Sequence, residues 1–193
     1  MKRPTSSSVI TRTSLACSSL LLGMVMHAQT TQLSLGADVM LPLGDFSEQA
    51  SLGVGPALGF EFPVGTKAGL VVQLAYDFIT PKDDSSIDSW TMLPLQAGGK
   101  FYFKENQDGF YGSLLVGMHN QTVTTKEIDL GPILGTLPST TESEAYFSWG
   151  LGLGYQLAKF DFGARYNGIT GKSGGSNWGY IGFRAAYLLN LGS

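Results

Sequence analysis

Three glycines alternate with large apolar residues in the stretch 149-WGLGLGYQL-157. Gly150, Gly152 and Gly154 could belong to a glycine-rich loop that cradles a phosphate group through its backbone N–H groups. The dinucleotide-binding pattern G-x-G-x-x-G would require a third glycine at position 157 and a change from strand to helix. Residue 157 is Leu, and the alternation continues without a break. We therefore predict that these glycines lie on the face of a strand that looks into a space too narrow for side chains.

His119 is the only histidine after residue 28, and it could act as the base of a lipid A deacylase or acyltransferase. Such chemistry needs a hydroxyl group within hydrogen-bond reach and an acid that orients the imidazole. Ser113 lies six residues away, about 20 Å along a strand, so Tyr146 or Ser148 on a neighbouring strand is the better partner. One histidine does not make a metal site. We predict neither a metal nor a cofactor, and an outer membrane lipid-modifying enzyme using His119 is kept as an alternative.

Residues 1–28 are typical of a secretory signal peptide. Three basic residues precede a short apolar run from Leu15 to Met26, and Ala28 is a small residue suited to cleavage. Without these residues the chain carries nine basic and 15 acidic residues, a formal charge of −6. This charge argues against binding nucleic acid, and no later apolar run is long enough for a transmembrane helix. We predict one domain over residues 29–193.

The elements that would position these residues are eight segments in which apolar and polar or small residues alternate. The charges inside the segments all lie on the polar face, and Tyr102 shares that face: Asp38, Glu61, Asp77, Lys100, Asp161, Arg165 and Arg184. The opposite face is rich in Leu, Phe, Tyr and Trp. Because soluble barrels show the reverse order, the pattern predicts an all-β, eight-stranded antiparallel up-and-down transmembrane β-barrel. A soluble lipocalin-like barrel is the remote alternative.

The connections between segments alternate in length. The even links near residues 64–68, 104–109 and 158–159 are short, whereas the odd links are long and polar: 43–52, 80–90, 121–144 and 168–177. Short turns at one end and long loops at the other are typical of outer membrane barrels. Eight strands leave an interior just wide enough for side chains to fill it. We therefore predict a lumen plugged by the polar network, with a narrow porin-like channel as the alternative.

The longest link, 121–144, combines exposed polar residues with an apolar tip that includes Ile133, Leu134 and Leu137. Thr122–Ile128 and Thr140–Tyr146 could extend two strands beyond the membrane as a hairpin. Such a hairpin could bind a partner through strand addition or through its apolar tip, or the loop could fold over the barrel mouth. These alternatives stay open at this point.

Two longer stretches, 41-LPLGDFSEQASLGVGPALGFEFPV and 93-LPLQAGGKFYFKENQDGFYGSLLVG, resemble the small OmpA/OmpX-like outer membrane β-barrel proteins of the Bacteroidota. The resemblance covers nearly all of the chain after residue 28. It implies a barrel of the bacterial outer membrane and indicates little about activity. From the pattern as a whole we predict a non-enzymatic protein with a structural or surface-interaction role. Its expected partners are the lipid bilayer, lipopolysaccharide and a surface or host protein reached through the loops. We also expect a monomer.

Overall fold

The computed structural model of the protein describes residues 30–83, 86–129, 136–170 and 177–192. It contains one short helix, α1 (Phe46–Gln49), and one 3-10 turn, Glu105–Gln107. The strands are β1 (Gln32–Leu43), β2 (Ala50–Val64), β3 (Ala68–Ala75), β4 (Asp77–Pro81), β5 (Ile87–Tyr102), β6 (Gly109–Thr125), β7 (Ile128–Asp129), β8 (Thr136–Leu137), β9 (Thr141–Leu157), β10 (Phe160–Thr170) and β11 (Asn177–Asn190). None of the helices in these described ranges is long and apolar enough to cross a membrane.

The strands close into a barrel. Nine of them form one antiparallel sheet, and β1 pairs with β2 on one side and with β11 on the other. β3 and β4 both lie between β2 and β5 and are separated only by Tyr76, so they occupy one place in the barrel. This leaves eight strand positions, and the predicted fold class is confirmed. β7 and β8 form a separate two-stranded pair in the longest connection.

The two faces of the sheet carry opposite kinds of side chain. Large apolar residues point outward, as in Leu153 and Phe110, whose side chains are 66% and 64% exposed. Charged and amide side chains point inward and are buried, as in Glu61 and Lys100. An apolar outside and a polar inside is the opposite of a soluble barrel. It suits a barrel surrounded by lipid, because each of the eight strand positions in the closed sheet has a paired strand on either side.

The ends of the barrel differ as the link lengths predict. At one end the turns are tight, and they use left-handed backbone at Gly65 (φ 73°), Gly109 (φ 87°) and Ala158 (φ 53°). The other end, called the outer end below, carries α1 and the β7–β8 pair. All four long links are shorter than predicted, because β2 begins at Ala50, β5 begins at Ile87, β6 continues to Thr125 and β10 continues to Thr170. Of the hairpin predicted from Thr122–Ile128 and Thr140–Tyr146, the structure shows β6 and β9 paired as far as Thr124 and Thr141, whereas Ile128 lies in the separate strand β7.

Candidate functional site

Lys100 is the centre of one buried ionic cluster in the lumen. Its Nζ lies 2.9 Å from Glu61 Oε2 and 2.7 Å from Asp161 Oδ2, and its side chain is only 5% exposed. The Tyr102 hydroxyl lies 2.7 Å from Glu61 Oε1, and the Tyr111 hydroxyl donates to Asp161 Oδ1 at 2.6 Å. The ammonium group also lies 4.4 Å from the centre of the Tyr111 ring. Each carboxylate in this cluster therefore contacts both a cation and a phenol, as buried charges require.

Two arginines form a second group closer to the outer end. Arg184 binds Asp38 through two hydrogen bonds, from Nε at 2.7 Å and from Nη2 at 2.6 Å. This bidentate geometry is the strongest that an arginine and a carboxylate can adopt. Arg165 donates to Gln73 Oε1 at 2.6 Å and to Asn167 Oδ1 at 3.1 Å.

Between the two groups lies a lumen cavity of about 30 Å³. Its lining includes the carboxylate of Asp77, which is 2% exposed, together with Asp38, Lys100 and Arg184. Asp77 Oδ1 and Arg184 Nη1 have no hydrogen-bond partner among the described residues. The volume is about that of one water molecule.

The structure places all eight residues predicted to face the lumen inside the barrel: seven belong to the two groups, and Asp77 lines the cavity between them. Sequence reasoning did not select Tyr111, Gln156, Gln73 and Asn167, which complete the hydrogen bonds of both groups. All four lie on the same inward face as the charges. That position was the signal that could have identified them, because a buried charge needs neutral polar neighbours as well as counter-ions.

The three glycines lie where bulky lumen side chains approach the strand. A Cβ atom at Gly154 would lie 2.2 Å from Tyr111 Cζ, and one at Gly150 would lie 2.8 Å from Arg165 Cδ. At Gly152 a Cβ would lie 2.9 Å from the Ser113 hydroxyl and 3.1 Å from Arg165 Cβ. The side chains of Tyr111 and Arg165 fill the space beside these glycines.

The outer part of the lumen is apolar, which the sequence analysis did not predict. α1 turns Phe46 into the barrel mouth, where its ring lies 5.1 Å from Trp90 and stacks on Trp178 at 5.5 Å with an angle of 3°. We call the buried residues around it the mouth cluster: Met40, Phe46, Ala50, Ile79, Trp90, Met92, Ile169 and Tyr180, with Trp178 packed against them. The polar lumen is therefore capped by an aromatic layer at its outer end.

His119 lies beneath this layer and is fully buried. Its Nε2 is 2.7 Å from the hydroxyl of Tyr180, a partner on β11 that the sequence analysis did not consider. The expected partners are engaged elsewhere, because Tyr146 donates to Glu144 and Ser148 accepts from Gln96 Nε2 at 3.2 Å. The expectation about hydroxyl partners was therefore wrong. The sequence pattern indicates only which residues of the adjacent strand β9 lie close to His119, whereas Tyr180 reaches His119 from across the lumen.

The second feature of interest is the edge of β9 above the barrel. β9 pairs with β6 from Gln156 to Thr141, but its described pairing with β10 ends at Phe147 and Thr170. Thr141–Tyr146 pairs with β6, and residues 141–145 are exposed. Of the predicted loop contacts, Leu137 lies in β8 and is 52% exposed, whereas Ile133 and Leu134 lie outside the described residues.

The chain matches a known protein family, and its fold matches solved structures. A protein-family model described as "Putative MetA-pathway of phenol degradation" matches residues 7–185. A comparison with curated protein sequences finds no match.

Three solved structures are similar to the whole described barrel. The first is Ail, the attachment invasion locus protein of Yersinia pestis, in complex with the heparin analogue sucrose octasulfate. It is 18% identical, with a TM-score of 0.59, over 82% of this chain and 97% of that chain. The N-terminal β-barrel domain of Pseudomonas aeruginosa OprF is 14% identical, with a TM-score of 0.56, over 82% and 97%. Neisserial surface protein A (NspA) is 14% identical, with a TM-score of 0.54, over 86% and 100%.

At these identities the likeness shows the fold alone, and that fold is the small eight-stranded β-barrel of OmpA/OmpX type that the sequence predicted. The signal peptide over residues 1–28, the domain limits and the Bacteroidota likeness stay predictions. Among the described residues, no three side chains of His, Cys, Asp or Glu come together in a way that could hold a metal ion.

Proposed function

Because the chain belongs to the family described as "Putative MetA-pathway of phenol degradation" and has the fold of small outer membrane barrels, we propose that it is a sealed barrel that acts through its outer surface. In this proposal the lipid-facing side chains hold the barrel in the bilayer beside lipopolysaccharide. The lumen is a structural core, and the segments at the outer end contact a surface or host protein.

The observation that carries the proposal is the filling of the lumen. Lys100 is held between two carboxylates, Arg184 is bound twice by Asp38, and the cavity between them has the volume of about one water molecule. The mouth cluster closes the outer end above these ion pairs. A conducting pore would need a continuous column of water, and the packing of these two layers supports a lumen without one.

The same filling argues against lumen chemistry on a phenolic compound. An aromatic ring is far larger than one water molecule, so the cavity described here cannot hold one. His119 is fully buried under the aromatic layer and its Nε2 is bonded to Tyr180. No observation brings a substrate to this histidine, and we do not propose that the protein is a lipid-modifying enzyme.

Conductance in planar lipid bilayers tests the sealed lumen. We expect no channel events above the baseline of the lipid for the purified, refolded protein. The matched control is the triple variant Lys100→Ala, Asp161→Ala and Arg184→Ala, which removes charged side chains from both polar groups. If the lumen can open, channel current should appear first in this variant. Steady open-channel current from the unaltered protein would contradict the proposal.

A further inference from the structure

A groove on the outward face of the barrel ends beside a lysine in one of the tight turns. We propose that this groove binds one anionic phospholipid, with an acyl chain in the groove and the headgroup phosphate at Lys159. The inference rests on the membrane placement in the proposed function and goes beyond it, because it assigns a specific ligand to the lipid-facing surface. The tight turns of outer membrane barrels face the periplasm, so the bound lipid belongs to the inner leaflet.

The groove has a volume of about 950 Å³ and crosses β1, β11, β10 and β9. Its floor is made of small residues. Ala37 and Ala185 lie directly opposite each other on β1 and β11, and Ala164 lies further toward the outer end on β10. All three are exposed. Four aromatic residues form the walls: Phe110, Tyr155, Phe162 and Phe183. The groove is therefore apolar, and its volume is at the upper end of the range for ligand pockets, roughly 300–1,000 Å³.

The depression continues toward β6. Ala164 pairs with Leu153, and Leu153 pairs with Gly112, so the three residues form one row on the outward face. A Cβ atom at Gly112 would meet no atom within 4 Å, so crowding does not explain the glycine. A second outward groove of about 780 Å³ lies over this row. An acyl chain in such a depression contacts the protein on its sides as well as below, and it gains more dispersion energy than a chain on a smooth surface.

Lys159 places a cation at the tight-turn end of the groove. It lies in the turn between β9 and β10, and its Nζ is 6.0 Å from the centre of the Tyr187 ring, so the side chain leans across the outward face. Phe160 joins the lysine to the groove, because its ring lies 5.5 Å from that of Tyr187 and 6.3 Å from that of Phe162. Among the described residues, no carboxylate forms an ion pair with Lys159. A phosphate group can therefore bind the ammonium group without displacing a partner.

The lysines of the other tight turns are less suited to this role. Lys104 shares its turn with Glu105 and Asp108, which repel a phosphate group. Lys67 lies between β2 and β3, and neither of these strands lines the groove. Because a positive side chain attracts a lipid with a net negative charge, Lys159 should favour an anionic phospholipid over a zwitterionic one.

Native mass spectrometry of the purified, delipidated protein in detergent tests the proposal, because it resolves the dissociation constant of the first bound lipid. The probe is dioleoylphosphatidylglycerol. Dioleoylphosphatidylcholine has the same chains without the net charge, and dihexanoylphosphatidylglycerol has the same headgroup with chains too short to follow the groove. We expect one lipid of the first kind to bind more tightly than either of the other two.

Two matched pairs of variants test the location. Lys159→Gln should weaken binding of dioleoylphosphatidylglycerol roughly fivefold, whereas Lys104→Gln removes the same charge from another tight turn and should change it by less than about twofold. Ala185→Phe fills the floor of the groove and should weaken binding by roughly 3- to 10-fold. Ala97→Phe adds the same bulk to β5, outside the groove, and should have less than about a twofold effect. All four residues are exposed, so none of these variants should disturb the barrel.

Equal affinity for the three lipids, or equal effects within either pair of variants, would overturn the proposal. So would a dimer in the same spectra that Ala185→Phe abolishes, because the groove would then belong to a second copy of the chain. None of these results would show that the lumen is open, because conductance measures it independently. A protein that stayed in solution without detergent would refute the proposed function as well.

Discussion

Lys100 is the residue whose removal should most disturb the lumen. Its ammonium group lies within 3 Å of two carboxylates, Glu61 Oε2 at 2.9 Å and Asp161 Oδ2 at 2.7 Å, and all three side chains are about 5% exposed. At an effective dielectric constant of about 20, each contact corresponds to roughly 6 kcal/mol of attraction, most of which offsets the cost of burying the charges. Lys100→Met keeps the length of the side chain and leaves two buried carboxylates without their cation. We expect a loss of about 3–5 kcal/mol in the free energy of unfolding.

A triple variant separates the effect of charge from that of packing. Adding Glu61→Gln and Asp161→Asn to Lys100→Met removes the unpaired charges, but it leaves carbonyl oxygens that can still accept from Tyr102 and Tyr111. Replacing a whole buried ionic group is often neutral, so we expect most of the lost stability to return. Lys104→Met, at an exposed position in a turn, is the control and should change stability by less than about 0.5 kcal/mol.

Urea-induced unfolding in phospholipid vesicles, followed by tryptophan fluorescence, measures these differences. If Lys100→Met were as stable as the unaltered protein, or if the triple variant were less stable than Lys100→Met alone, the ionic account of the lumen would be refuted.

Three further predictions concern the lipid face, the glycines and the mouth. Leu153→Arg places a charge in the bilayer at an outward position that is 66% exposed, and it should cost roughly 2–4 kcal/mol in the same unfolding assay; a variant as stable as the unaltered protein would contradict the inside/outside assignment. Gly154→Val should hinder folding into vesicles, because its Cβ would lie 2.2 Å from Tyr111 Cζ, and efficient folding would show that the space is not needed. Phe46→Ala should cost about 3–5 kcal/mol and shift tryptophan emission to the red by exposing the stacked Trp178 to water, so an unchanged spectrum would contradict the cap.

The inward and outward faces could be predicted from the sequence because strand geometry alone fixes them. Side chains alternate with a period of two, so the placement of charges such as Asp38 and Arg184 on one face follows from counting along the chain. The two also lie directly opposite each other in the register of β1 and β11. The positions of the strands and the alternation of short and long connections follow from the same local pattern.

Contacts across the lumen could not be predicted in this way. Which residue meets His119 depends on the tilt and stagger of the closed barrel, and these bring Tyr180 of β11 to it rather than a residue of adjacent β9. Leu115 shows the same limit. It breaks the polar pattern of its face, yet it is 1% exposed, because its neighbours in register are Gly98 and Gly150. Phe46 lies in a link, where no strand period indicates that its ring turns into the mouth.

The gel mobility of the protein in washed outer membranes, unboiled against boiled in SDS, tests the central claim most directly. A closed barrel with an apolar outside and a filled polar inside should resist SDS until it is heated. We therefore expect a clear shift on boiling and the protein confined to the outer membrane fraction. No shift on boiling, with the protein in the soluble fraction, would contradict the account and would mean that the apolar face of the strands is turned inward.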